Sequence, residues 1–99
     1  MLANFKTYQL AKEFYSLTNE LKMPAHLKDQ FLRASSSIVL NIAEGSGKRT
    51  RRDQARYYSI ALGSLRESHA ILELANLATS KLSALIDHLG GSLYKLSRK

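Results

Sequence analysis

The sequence contains no cysteine, one proline and five glycines among its 99 residues. Because no thiol is present, disulfides, zinc–thiolate sites and cysteine nucleophiles are excluded, and the composition suits a reducing compartment. No apolar run approaches the roughly 18 residues that predict a membrane span. The N-terminal segment MLANFKTYQLAKEF also lacks the uninterrupted apolar stretch of a signal peptide. These absences predict a cytoplasmic protein with no membrane partner.

Acidic residues are scarce relative to basic ones. Eight Asp and Glu stand against fifteen Lys and Arg, which gives a net charge of +7. A basic surface favours phosphate-rich or acidic partners, although a solvated face that only maintains solubility explains the charge equally well. Five cations lie close together between Gly45 and Arg56, and we call them the basic cluster: Lys48, Arg49, Arg51, Arg52 and Arg56.

No segment shows sustained alternation of polar and apolar residues, which argues against β-strands. Apolar residues instead recur at helical spacing, and this predicts helices over residues 4–21, 25–44, 51–76 and 80–97. The chain length fits one domain over residues 1–99. Four amphipathic helices joined by short loops predict an all-α, antiparallel up-down four-helix bundle. Broad apolar stripes on the first and fourth helices are consistent with self-association.

Several residues mark the ends of these helices. Asn4 is the predicted N-cap of the first helix. Gly45 is the predicted stop of the second helix. Thr50 and Asp53 have the spacing of a capping box at the start of the third helix, with Asp in place of the usual Glu.

Glycines also lie inside predicted helices. Gly63 costs the third helix about 1 kcal/mol relative to alanine, which predicts a packing reason for it. Gly90 and Gly91 interrupt the leucine seam of the fourth helix. They fit either a kink or a helix end, and we favour a continuous helix because the seam keeps its phase across them.

The segment SSIVLNIAEGSGKRTRRDQARYYSIALGSLRES, with LKDQFLRA upstream, resembles the four-helix-bundle family of 23S rRNA intervening-sequence proteins. The opening FKTYQLAKEFYSLT looks like that family's first helix, so the resemblance covers residues 5–75. Beyond them, NLATSKLSA departs from the family's usual Leu-Gly-Tyr-like turn. The matching residues are Arg33, Ser37-Ile38, Asn41-Ile42-Ala43-Glu44-Gly45, Ile60-Ala61, Gly63-Ser64-Leu65 and Glu67.

The resemblance implies a simple bundle that forms closed homo-oligomers, with pentameric rings among the relatives. The chain is also similar to the accessory proteins of diversity-generating retroelements, which are basic oligomeric bundles that bind nucleic acid and a reverse transcriptase. Some family members are encoded within insertions in ribosomal RNA genes. That genetic context does not define an activity.

The basic cluster is the predicted nucleic-acid site. Arg52 and Arg56 lie four residues apart on one helix face, and Tyr57 and Tyr58 follow closely. Long cations supply charge, a helix N-terminus supplies backbone N–H groups, and aromatic rings offer base stacking. The alternative is a solvated loop whose tyrosines pack in the core.

A polar row on the second helix is the other candidate: Arg33, Ser37, Asn41 and Glu44. It fits a recognition face or a subunit contact. The favoured interpretation is a structural polar network of Arg33, Asn41, Glu44 and Glu67, in which Arg33 or Arg66 pairs with Glu44 or Glu67, because buried polar groups usually satisfy one another.

Other chemistry finds little support in the sequence. GSGK is not a P-loop, because Ile42 stands where the motif needs glycine and Arg49 where it needs Ser or Thr. His26, His69 and His88 have no histidine partner three or four residues away. The serines lack a convincing base. We therefore expect no catalytic residues, no metal and no cofactor.

These observations predict a non-enzymatic, homo-oligomeric bundle that binds RNA or DNA through the basic cluster. The alternative is a protein-interaction or scaffold module without nucleic-acid activity, whose arginines engage an acidic protein or a neighbouring subunit.

Overall fold

The computed structural model describes residues 2–98, and these residues form helices without any strand. A short 3₁₀ turn, Leu2–Asn4, precedes four α-helices: α1 (Lys6–Thr18), α2 (Ala25–Ser46), α3 (Arg51–Leu74) and α4 (Ser80–Ser97). The molecule measures 40 × 23 × 22 Å. The predicted all-α four-helix architecture is confirmed. No helix within residues 2–98 is both long and apolar enough to cross a membrane.

Each helix packs against its neighbours in sequence, and α4 returns to contact α1. Two contacts show that α2 and α3 run in opposite directions. Gly45 near the end of α2 lies against Tyr58 near the start of α3, and Ser37, earlier on α2, bonds Ser64, later on α3. The bundle closes where Thr7 of α1 shares a hydrogen bond of 2.5 Å with Ser92 of α4.

Aliphatic and aromatic side chains from the four helices form the core between them. Phe14 of α1 and Phe31 of α2 meet with ring centroids 6.2 Å apart. Fully burying one such side chain contributes about 1.5–3 kcal/mol. The predicted seam of α4 supplies four buried residues: Leu82, Ile86, Leu89 and Leu93.

Helix α1 is shorter than its apolar pattern predicts. Asn4 belongs to the 3₁₀ turn and is not the N-cap; that position falls to Phe5, which makes no side-chain cap. At the other end, Lys28 of α2 donates hydrogen bonds from Nζ to the carbonyls of Asn19 and Leu21. A side chain from α2 thus satisfies two carbonyls that follow α1. Helix α1 ends at Thr18 instead of the predicted Leu21.

Helix α2 continues past Gly45, so the predicted stop is wrong. Gly45 is buried, and a Cβ at this position would lie 2.9 Å from Cε1 of Tyr58. The residue therefore allows α3 to approach α2 closely, and α2 ends one residue later at Ser46, with Gly47 as its C-cap.

The interior glycines differ from Gly45. Helix α4 continues through Gly90 and Gly91, as predicted. Gly63 is exposed, and nothing lies within 4 Å of a Cβ built on it. The packing reason predicted for Gly63 is therefore absent from the contacts of residues 2–98.

The turn after α3 depends on Asn76, the one non-glycine residue with positive φ (59°) among residues 2–98. The Asn76 N–H donates to the Glu73 carbonyl at 3.1 Å, and the Leu77 N–H donates to the Leu72 carbonyl at 2.8 Å. This pair of bonds is a Schellman motif, which satisfies the last carbonyls of the helix. Leu77 then packs against the core.

Candidate nucleic-acid interface

The basic cluster lies at the corner between α2 and α3. Thr50 caps α3, since its Oγ1 accepts a hydrogen bond from the Asp53 N–H at 3.1 Å. The predicted cap is thus confirmed. The Gln54 side chain donates to the Lys48 carbonyl at 3.2 Å. Together these bonds fix a short loop that presents the cations of both helix ends.

Lys48 is less available for a ligand than the rest of the basic cluster. Its Nζ lies 3.1 Å from Oε2 of Glu44, one turn earlier. The hydrogen bond to Glu44 is the main reason that the pKa of Lys48 is raised above its ordinary value. The ammonium also lies 5.1 Å from the ring centroid of Tyr57. A carboxylate and a ring already hold this cation.

The four arginines of the basic cluster are exposed, and none of them makes an ion pair within residues 2–98. The Arg56 guanidinium lies 5.3 Å from the Tyr57 ring centroid. Arg52 and Arg56 line the same side of α3, facing the end of α4. The group therefore carries uncompensated positive charge, which attracts anions from solution.

The two tyrosines beside the basic cluster are occupied by contacts within the protein. Tyr58 is 5% exposed and packs edge-on against Phe5, with ring centroids 6.1 Å apart. Burial raises the pKa of its phenol. Tyr57 is half-buried and already has two cations over its ring. The core interpretation is correct for Tyr58, and neither ring is a freely exposed stacking platform.

A more exposed ring lies on α4. Tyr94 is 53% exposed, and the Arg98 guanidinium lies 5.6 Å from its ring centroid. Tyr94 stands one turn before Ser97, whose hydroxyl donates to the Tyr94 carbonyl at 2.9 Å. No sequence motif links this pair to the basic cluster, because the two lie far apart along the chain.

A cleft of about 800 Å³ joins the start of α3 to the end of α4. Three of its polar lining groups, the guanidinium groups of Arg52 and Arg56 and the carboxylate of Asp53, come from the first turns of α3. Ser97 forms the α4 side. The cleft is mostly polar and open to solvent, and both properties suit a long charged ligand.

The ion pairs predicted for the polar row do not form within residues 2–98. The prediction placed Arg33 or Arg66 opposite Glu44 or Glu67. Arg33 instead lies 3.4 Å from Asp29, one turn away on α2, and Glu44 holds the lysine of the basic cluster. The side chains of Arg33, Asp29 and Glu44 are exposed, and exposed charges pair readily with an opposite charge four residues away.

The uncharged part of the polar row does join two helices. The Asn41 amide donates to the Ser37 carbonyl at 2.8 Å and to its hydroxyl at 3.0 Å. That hydroxyl shares a 2.8 Å hydrogen bond with Ser64 of α3. Of these contacts, the bond between Ser37 and Ser64 joins α2 to α3, and the Asn41 bonds orient Ser37 from within α2.

No group of three His, Asp or Glu side chains could hold a metal ion in the part of the chain that the structure describes. The closest approach of a histidine to a carboxylate there is His69 Nε2 to Glu73 Oε2, at 3.7 Å along one face of α3. His26 and His88 are exposed on other helices. The three histidines therefore do not converge.

The fold and the charge distribution define a small, basic, all-helical protein. A family model described as 23S rRNA-intervening sequence protein matches residues 3–98. The chain therefore belongs to this family, and the resemblance carried by α2 and α3 is confirmed. A search of curated proteins found no significant match.

Proposed function

We propose that this protein is a non-enzymatic, homo-oligomeric bundle that binds RNA or DNA through its basic cluster. The observation that carries the proposal is the set of four exposed arginines at the α2–α3 corner, which make no ion pair with any of residues 2–98. Arginine presents a planar fork of donors that matches a phosphate. Four such groups on one corner suit a phosphate backbone better than a single small anion.

The energetics of such binding depend on salt. Each neutralised phosphate releases condensed counterions. On a single strand, each phosphate contact therefore adds about 0.7 to the steepness with which the logarithm of the association constant falls against the logarithm of the salt concentration. If each arginine of the basic cluster contacts one phosphate, replacing all four with glutamine lowers this slope by about 2.8. Affinity at low salt falls in parallel.

The test is a fluorescence-anisotropy titration of labelled RNA, single-stranded DNA and duplex DNA over a salt series. The variant carries R49Q, R51Q, R52Q and R56Q. The matched control removes the same number of charges from exposed positions outside the cluster: Lys22, Arg33, Arg66 and Lys81. We expect the first variant to lose affinity and slope, and the control to lose little of either. Equal effects in the two variants would contradict a site at the basic cluster.

Self-association is the second part of the proposal. A nearly apolar groove of about 250 Å³ lies between α1 and α2, and Leu40 on its edge is 66% exposed. Tyr15 and Val39 line the same groove. We propose a second copy of the chain as its occupant, since the family resemblance implies closed homo-oligomers. Molar mass measured by light scattering tests this.

The scaffold alternative predicts different results from the same samples. If the arginines engage an acidic protein or a neighbouring subunit, no nucleic acid binds at physiological salt. The arginine variant would then change the molar mass or lose an acidic partner. Light scattering on the titration samples therefore separates the two functions.

A further inference from the structure

We infer that the nucleic acid bound by this protein is single-stranded, and that it lies in the cleft between the start of α3 and the end of α4 with a base stacked on Tyr94. The inference rests on the proposed function and specifies its ligand and its path. Three features carry it: the cleft, the two arginines that line its α3 side, and the exposed ring of Tyr94 one turn before Ser97 on α4.

The cleft supplies the path for a phosphate backbone. Its volume of about 800 Å³ is open to solvent along the bundle surface. Arg52 and Arg56 line the cleft from the α3 side, and Ser97 lines it from α4, with Arg98 as the next residue along the chain. The two lining arginines face one carboxylate, that of Asp53, so the net charge of the cleft lining is positive. No ion pair within residues 2–98 engages Arg52, Arg56 or Arg98.

Tyr94 supplies a platform for a base. Residues three apart lie on neighbouring parts of one helix face, so Tyr94 is the neighbour, one turn earlier, of Ser97, which lines the cleft. Its ring is 53% exposed, and Ile60 on the α3 wall of the cleft is 47% exposed. A ligand that is recognised only by its charge gains nothing from contact with these apolar side chains, whereas a nucleic-acid base does.

The exposed ring selects a single strand. The base faces of a duplex are stacked on one another, so a tyrosine on an uninterrupted duplex meets only phosphates and groove edges. An unpaired base can stack on the ring, while Arg98, 5.6 Å from the ring centroid, reaches an adjacent phosphate. Aromatic rings beside cationic grooves serve this purpose in single-strand-binding proteins.

Tyr94 is the position that tests the inference separately from the proposed function. We expect Y94L, which keeps apolar area but removes the ring, to weaken single-strand binding by about tenfold. Y94F keeps the ring and should bind as the native protein does. Because neither change removes a charge, the salt slope stays the same. Duplex binding should also stay the same in both variants.

The cleft cations are tested by the double variant R52Q and R56Q. We expect the salt slope on a single strand to fall by about 1.4, in line with two lost phosphate contacts. The control double variant, R66Q and K81Q, removes two exposed charges outside the cleft and should keep the native slope. RNA and DNA strands of one sequence, measured side by side, identify which sugar is preferred.

Two results would overturn this inference and leave the proposed function intact: duplex binding as tight as single-strand binding, or a Y94L variant with native single-strand affinity. Absence of any salt-dependent binding by the native protein would overturn both. Binding of an acidic peptide in place of nucleic acid would also overturn both and favour the scaffold alternative.

Discussion

Gly45 and Gly63 both lie inside helices, but their surroundings give them different roles. Gly45 faces the ring of Tyr58, which leaves no room for a Cβ. Gly63 faces solvent, and a Cβ there would touch nothing within 4 Å. The first glycine sets the distance between α2 and α3, whereas the second only lowers the stability of α3.

Opposite effects on stability are therefore expected from alanine at the two positions. G63A should raise the free energy of unfolding by about 1 kcal/mol, and G45A should lower it by about 1–3 kcal/mol through overpacking against Tyr58. Urea unfolding at one fixed protein concentration measures both. If G63A is destabilising and changes the molar mass, its open surface belongs to an interface between copies.

Tyr58 makes stability depend on pH in the alkaline range. Burial raises the pKa of its phenol above the ordinary 10.0, so the folded state holds this proton more strongly than the unfolded state. Below about pH 10 both states are protonated and the group has no effect on the pH dependence of stability. As the pH rises beyond that value, the unfolded chain ionises first and the free energy of unfolding falls.

The variant Y58F removes this titration and keeps the edge-on contact with Phe5. We expect the free energies of unfolding of the native protein and the variant to differ by a constant amount from pH 7 to about pH 9. Above about pH 10 the native protein should lose stability relative to the variant. Urea unfolding across this range measures the difference. A difference that stays constant to about pH 11 would contradict a role for Tyr58 burial.

The helices themselves show which structural features local sequence determines. Thr50 caps α3 as its spacing with Asp53 predicts, because both partners lie within one turn. The C-terminal end of α1 escaped prediction, because Lys28 of a different helix satisfies the carbonyls after Thr18. Periodicity predicts that a helix exists, but a contact from elsewhere in the fold decides where it ends.

Removing the cap of α3 tests how far the basic cluster depends on local order. T50A should lower the free energy of unfolding by about 1 kcal/mol, because the Asp53 N–H loses its acceptor. Thr79 caps α4 in the same way, through a 3.2 Å bond from the Leu82 N–H, so T79A is a matched control away from the cluster. We expect equal losses in urea unfolding, and weaker nucleic-acid binding for T50A only. Equal binding by both variants would show that the cap has no influence on the site.

At the scale of the whole molecule, the fold brings together side chains that lie far apart in the linear sequence. The density of arginines along the chain predicts the basic cluster, and all four are exposed. The linear sequence does not reveal that Glu44 pairs with Lys48, that Tyr58 is buried, or that the end of α4 lies beside the start of α3. These facts depend on how the helices pack, and the same packing places Ser97 of α4, one turn after Tyr94, at the cleft.

Self-association gives the last prediction. Leu40 borders the apolar groove between α1 and α2 and is 66% exposed, so a charge at this position would have to be desolvated in any interface that covers it. We expect L40E to lower the molar mass measured by light scattering. Leu74, 73% exposed at the end of α3, provides the control L74E, which introduces the same charge away from the groove. A native assembly that survives L40E but dissociates with L74E would move the interface to α3.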